Sequence, residues 1–161
     1  MQGRTVAASC TTLSEVMMPD DANPAGNVHG GTVVKLVDNA GSVAALRHCR
    51  ATSATVVTAR IDAMNFVAPV HIGDIVTLRA SVNDVGRTSM EVGVRVETEN
   101  VRSGETKHVA SAYLVYVALD EEEQPTAVPP LIVETGDERR RQAAARARRA
   151  ARQHAQRAQH T

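Results

Sequence analysis

The chain has 161 residues, 18 basic and 18 acidic side chains, no tryptophan, one phenylalanine and two tyrosines. That length suits one domain with a core of its own, built from Val, Ala, Leu and Ile, plus a tail. No apolar run approaches the roughly 18 residues of a membrane span, and Met1 to Cys10 lack the charged start and apolar block of a signal peptide. Two cysteines, Cys10 and Cys49, are too few for a disulfide framework and lack zinc-site spacing; both read as reduced thiols of a cytoplasmic protein.

Ser9 to Met18 reads as an opening strand, ended by Pro19. A loop follows, marked by Asn23-Pro24, Gly26 and Gly30-Gly31, residues that accept backbone angles others avoid. A helix is predicted from about Gly31 to Arg47, where Val33, Val34, Leu36, Val37, Ala40, Val43, Ala44 and Leu46 leave few polar positions. A helix apolar nearly all round is a buried one, and Arg47 and His48 suit the dipole at its end. Thr52 to Phe66 alternates irregularly and reads as a long strand with both faces partly covered. Strands then follow around Val76 to Val82 and Met90 to Val96, with period-2 alternation and a turn at Gly86. Ser103-Gly104 turns the chain into a last strand, Thr106 to Leu119. One helix followed by hairpin-linked strands predicts an α+β domain, an antiparallel sheet packed around a buried helix.

Glu121 to Pro130 reads as an acidic linker. Residues 137–161 hold eight arginines against Asp137 and Glu138, so a basic tail follows an acidic domain. Its Ala/Arg pattern has high helix propensity and almost no large apolar residue. It is expected to be an exposed or partner-docked helix that frays toward Thr161. A nucleic-acid role is not favoured, because no aromatics interleave the arginines and no binding motif is present.

Asp38 is the first candidate for chemistry, since a carboxylate within an apolar helix is costly unless paired or used. Gly31 and Asp38 are seven residues apart, hence within roughly 20° of each other on one helix face and about 10 Å apart along it. One stripe therefore carries an amide-rich helix start, which attracts negative charge, and a carboxylate. That pairing suits acyl transfer to water.

The segment from Asp20 to Asp38, D-D-A-N-P-A-G-N-V-H-G-G-T-V-V-K-L-V-D, resembles the hotdog-fold acyl-CoA thioesterases. The likeness is to the bacterial single-domain acyl-CoA hydrolases and the animal two-domain brain-type acyl-CoA hydrolase. It continues through Arg47 to Cys49, Val56 to Phe66, Arg87 to Val92, Tyr116 to Leu119 and Val128 to Leu131, in the expected order. The resemblance implies a sheet wrapped around the helix over residues 1–131, with residues 132–161 as a basic helical tail. It implies hydrolysis of acyl-CoA to a free acid and coenzyme A, with Asp38 as general base or nucleophile. Gly30 and Gly31 would supply oxyanion-binding amides. Asn23 would reach the Asp of a neighbouring subunit, although Pro24 departs from the small apolar residue expected there. Arg87, Thr88 and Ser89 are expected beside the coenzyme A arm, with Arg87 on phosphate, and His29 near the site. Asp62 and Asn65 lie in a matching segment that fits site and interface hydrogen-bonding groups equally, and are left out of catalysis.

The implied partners are the acyl-CoA and further copies of the chain, a homodimer assembling to a hexamer as a trimer of dimers. No cofactor is implied beyond the coenzyme A of the substrate. No metal is proposed, because no second His or Cys stands at ligand spacing. An acyl-carrier-protein thioesterase and a non-catalytic acyl-CoA-binding sensor remain as alternatives.

Overall fold

The computed structural model describes residues 1–52 and 54–159. Five strands form one antiparallel sheet: β2 (Thr11–Val16), β3 (Thr55–Phe66), β4 (Ile75–Val85), β5 (Ser89–Glu99) and β6 (Thr106–Leu119). Their order across the sheet is β2-β4-β5-β6-β3. The long helix α1 (Gly30–Cys49) lies on its inner face, and α2 (Gly136–Gln159) follows at the C-terminus. A short parallel pair, β1 (Arg4–Thr5) with β7 (Leu131–Ile132), ties the end of the linker to the N-terminus.

Alternation builds the core. Val76, Leu78, Ala80 and Val82 of β4 meet Met90, Val92, Val94 and Val96 of β5, and Ala110, Ala112, Leu114 and Tyr116 of β6 complete the inner face. Against it α1 buries Val33, Leu36, Val37, Ala40, Ala44 and Ala45. Each larger aliphatic side chain buried this way contributes about 1.5–3 kcal/mol. Met17 and Met90 join this core, and no isoleucine is buried among the described residues, although isoleucine was expected in it.

Two expectations change here. The helix is not enclosed: its sheet-facing side is buried, while Lys35, Asn39 and Leu46 are exposed and Asp38 is half-buried. One sheet covers one side of a helix. The long third segment is also less covered than expected, because β3 is the sheet edge and leaves Val57, Ile61 and Phe66 exposed. Its irregular alternation comes from register shifts between Thr58 and Arg60 and between Ile61 and Met64. Bulges twist an edge in this way. The expected start at Thr52 becomes a 3-10 turn over Arg50–Thr52, and Ser53 lies outside the described residues.

The basic helix also differs from expectation. It is exposed along most of its length, as expected, but the surface it docks on is the chain's own sheet, over carboxylates on the outer face, and not a partner's. Asp84 and Glu91 are directly opposite in the β4–β5 register and almost fully buried. Arg148 makes a forked contact with Glu91, 2.7 Å from Nη2 to Oε1, and its guanidinium stacks 3.6 Å above the Tyr113 ring. Arg149 Nη2 stands 2.9 Å from Asp84 Oδ2 as an ion pair without hydrogen-bond alignment. Arg152 reaches Asp62 and Glu91, and Gln142 donates to Asp84 Oδ1 at 3.2 Å. Asp62 therefore serves this clamp within the chain. The fraying expected at Thr161 lies outside the described residues.

The linker closes the far end of α1. Buried His48 places Nε2 2.8 Å from the Pro129 carbonyl, and its Nδ1 is buried without a partner among the described residues. Burial pulls the His48 pKa below its ordinary value near 6.5, against the opposing effect of the Pro129 bond. The unfolded chain therefore takes up this proton first. Stability from this group is complete above about pH 6.5 and is lost as pH falls below it. Urea unfolding between about pH 7.5 and 5 should show a steeper decline in wild type than in His48→Gln, by up to about 1.4 kcal/mol per pH unit.

Candidate active site

The first half of the site is the carboxylate of Asp38, on the third turn of α1. Thr58 Oγ1 donates to Asp38 Oδ1 at 2.7 Å, and the Tyr116 hydroxyl lies 3.0 Å from the same oxygen and from the Asp38 carbonyl. These donors come from directly opposed residues, since Thr58 of β3 is in register with Tyr116 of β6, which is in register with Met90 of β5. Asp38 Oδ2 takes no hydrogen bond among the described residues. Burial, then the Asp38 charge, pushes the Tyr116 pKa up, so this hydroxyl stays protonated and always has a proton to donate.

Gly41 makes room for that contact. A Cβ at Gly41 would stand 3.1 Å from Cε2 and Cζ of Tyr116 and closer still to its hydroxyl. The ring would have to move, and with it the donor to Asp38. Gly41→Ala should therefore destabilise the protein despite the about 1 kcal/mol of helix propensity that alanine gains. Overpacking of this kind costs about 1–3 kcal/mol, which a denaturant titration resolves.

The second half is the start of α1. His29 is its N-cap: its ring Nδ1 accepts the Gly31 amide at 3.0 Å, and its own amide donates to the Asp21 carbonyl at 2.7 Å. In this conformation the Gly31 amide is taken. Asn23 organises the preceding turn, its Oδ1 accepting the amides of Ala25 and Asn27 at 3.0 and 3.2 Å. Gly26 in that turn has φ +86°, a backbone angle that favours glycine. Asn23 and Gly30 share a cleft of about 470 Å³ with Val33, Phe66 and Pro69; Asp38 is not among its lining residues.

The turn between β4 and β5 carries Arg87 and Thr88, and Ser89 opens β5. It is held by its backbone, with the Ala118 amide donating to the Thr88 carbonyl at 2.9 Å and the Val128 amide to the Arg87 carbonyl at 3.0 Å. Arg87 is exposed, and Ser89 lies one register position beyond the row of Met90, Tyr116 and Thr58. The expected residues thus fall into three places: Asp38 on its sheet row, Asn23 with Gly30 and His29 at the helix start, and Arg87 to Ser89 at the hairpin. Thr58, Tyr116 and Gly41 were not singled out from sequence. Thr58 and Tyr116 both sit inside recognised segments, and a tyrosine on an otherwise aliphatic inward face was the available signal. Among the described residues, no group of three or more His, Cys, Asp or Glu side chains could hold a metal ion. None of the described helices is long and apolar enough to cross a membrane.

A family model for the thioesterase superfamily matches residues 25–105. The cytosolic acyl coenzyme A thioester hydrolase of Mus musculus is 36% identical over 128 residues, 76% of this chain and 34% of that protein. This chain thus spans about a third of the length of that relative and of its rat and human counterparts. Among solved structures, an apo-hexameric acyl-CoA thioesterase matches with a TM-score of 0.89 at 35% identity, covering 95% of this chain and 96% of that one. An acyl-CoA hydrolase from Staphylococcus aureus, crystallised with butyryl coenzyme A, coenzyme A and coenzyme A disulfide, matches with a TM-score of 0.85 at 31% identity over 97% of this chain and 93% of that one. Variants of that hydrolase have been crystallised with an asparagine, an aspartate or a threonine replaced by alanine. With the family match running from the glycine loop through α1 into the strands, and a thioesterase fold overlaid almost end to end, the chain belongs to the thioesterase superfamily and has the hotdog fold.

Proposed function

We propose that this chain hydrolyses acyl-CoA thioesters to a free acid and coenzyme A, working in the cytoplasm without a cofactor. The observation that carries the reading is the Asp38 carboxylate, with Oδ1 held by Thr58 and Tyr116 and Oδ2 left open. A carboxylate fixed by one oxygen presents the other for chemistry. As general base, Oδ2 takes a proton from water as the water oxygen attacks the thioester carbon, and later returns it to the departing thiolate. As nucleophile, it attacks the carbonyl itself, expels the thiolate and leaves an anhydride for water to open. Asparagine, aspartate and threonine, the types replaced in the Staphylococcus aureus hydrolase, are also the types at Asn23, Asp38 and Thr58 here.

The carbonyl oxygen gains negative charge in either route and needs donors. The Gly30 amide is open to that role. The Gly31 amide joins it once the His29 ring turns away. In this reading Arg87, exposed on its hairpin with Thr88 and Ser89 beside it, meets the phosphates of the coenzyme A arm.

The site is completed by a second copy. Asn23 and Gly30 line one cleft that Asp38 does not, so a neighbouring subunit that supplies Asn23 supplies the Gly30 amide with it, facing this chain's Asp38. The unpaired edge β3, with Val57 and Ile61 exposed, supports an edge-to-edge dimer. Three such dimers make the hexamer.

Thiol release from acyl-CoAs of two to eighteen carbons by the intact protein tests the reading. Turnover on at least one chain length is expected. Acyl-CoA binding without turnover would replace it with a sensor, and turnover only on acyl-carrier protein would change the substrate. Single turnovers in ¹⁸O-water test the nucleophilic route, since label in Asp38 arises only when water opens the anhydride at the Asp38 carbon. Label confined to the product acid fits the general-base route or opening at the acyl carbon.

A further inference from the structure

The β4–β5 ladder slips by one residue between Val82 and Asp84, leaving Asn83 as the extra residue of a bulge. Its carboxamide is carried across to the neighbouring strand, so that Nδ2 lies 2.7 Å from where a Cβ of Gly93 would be. Glycine at 93 is what admits it. Asn83 is 3% exposed, and its side chain makes no hydrogen bond among the described residues. The residue is buried, yet its carboxamide is not among the buried polar atoms that lack a partner, so it opens onto solvent with its donors uncommitted.

That carboxamide lines a cavity of about 400 Å³ on the outer face of the sheet, on the opposite face from Asp38. Gly93 and the Tyr113 ring give its outward-facing wall a largely apolar surface. Three arginines also line it. Arg79 and Arg95 are directly opposite in register and both spend their charge on Glu97, at 2.6 and 2.8 Å. The third, Arg141 from the first half of α2, has no ion-pair partner among the described residues. The cavity therefore offers an unspent guanidinium, unspent amide donors and an apolar surround.

We propose that this outer cavity is a second ligand site, for a small monocarboxylate with an apolar body. The carboxylate oxygens accept from Arg141 and from Asn83 Nδ2, because a carboxylate matches the guanidinium fork and can take the amide proton as well. The body lies along Tyr113 and Gly93. A bare inorganic anion would leave the apolar walls wet, and a neutral amphiphile would leave Arg141 unpaired. The proposal does not depend on the reaction assigned to Asp38.

Isothermal titration of the full-length protein with sodium octanoate tests it, with octanol and inorganic phosphate as comparators. Saturable binding of octanoate is expected, weakened at least about tenfold by Arg141→Ala and abolished by Asn83→Asp, which sets like charges together. Arg141 is exposed, so that variant keeps the fold, and a melting curve checks the second. Phosphate and octanol should not displace octanoate. The proposal is overturned if octanoate fails to bind or if either comparator displaces it equally well. Binding that survives both variants would assign the octanoate to another groove and overturn it too.

Discussion

Asp38→Asn should lower thioester turnover by about 10²–10⁴ while leaving the melting curve close to wild type. Asparagine keeps an oxygen for Thr58 and Tyr116 to hold, so the helix and the sheet row stay as they are. What disappears is the open oxygen that accepts a proton or attacks the carbonyl. Thr58→Ala and Tyr116→Phe each remove one donor to the carboxylate and leave the carboxylate itself. Their expected loss is smaller, about tenfold each, from one hydrogen bond to a charged group. The measurement is kcat/KM by thiol release for all three variants on the same acyl-CoA. An Asp38→Asn protein that keeps activity within tenfold of wild type would remove Asp38 from the chemistry. Equal losses in all three variants would mean that the row acts as one unit.

Arg148→Met should be the most destabilising exchange on α2. It strips Glu91, only 2% exposed, of its forked partner while Asp84 faces it across the β4–β5 ladder. Burial works against the charge on Arg148, but the Glu91 hydrogen bonds and charge outweigh it and raise the arginine's pKa. Breaking a buried pair from one side typically costs about 3–5 kcal/mol; the low end is expected here, because Arg152 still stands 3.4 Å from Glu91 Oε2. Adding Glu91→Leu to Arg148→Met should recover much of that loss, since a matched apolar pair is often neutral relative to a buried ion pair. Urea unfolding of the two single variants and the double variant gives the coupling energy directly. A loss under about 1 kcal/mol in Arg148→Met would place this pair among weak surface bridges.

Much of the architecture was legible because it rests on period. Val76 to Val82 and Met90 to Val96 alternate cleanly, and both became central strands with an aliphatic inner face. The helix was legible from its density of Val, Ala and Leu between a glycine start and Arg47. Its exposure was not, because a composition suited to burial does not say whether the covering surface belongs to the same chain. β3 hid its place at the edge for a related reason: bulges at Thr58 and Ile61 scramble the alternation that would have marked an open face. At the site, Asp38 stood out as a charge among aliphatics. Thr58 and Tyr116 did not, since a threonine in a strand and a tyrosine in a strand are both ordinary. Only register shows that they share one row under the helix. The docking of α2 was illegible in a further way. Its arginines answer Asp84, Glu91 and Asp62, three acids scattered along the chain, and only folding gathers those acids on one face.

The clamp also sets an order in time. Glu91 and its partner Arg148 are separated by 57 positions, so a ribosome adding 5–20 residues per second exposes the acid roughly three to eleven seconds before the base. Through that interval the β4–β5 hairpin carries two opposed carboxylates with nothing to neutralise them. The nascent sheet is therefore weakest at its centre until α2 emerges, and any chain cut short before Arg148 keeps that weakness permanently.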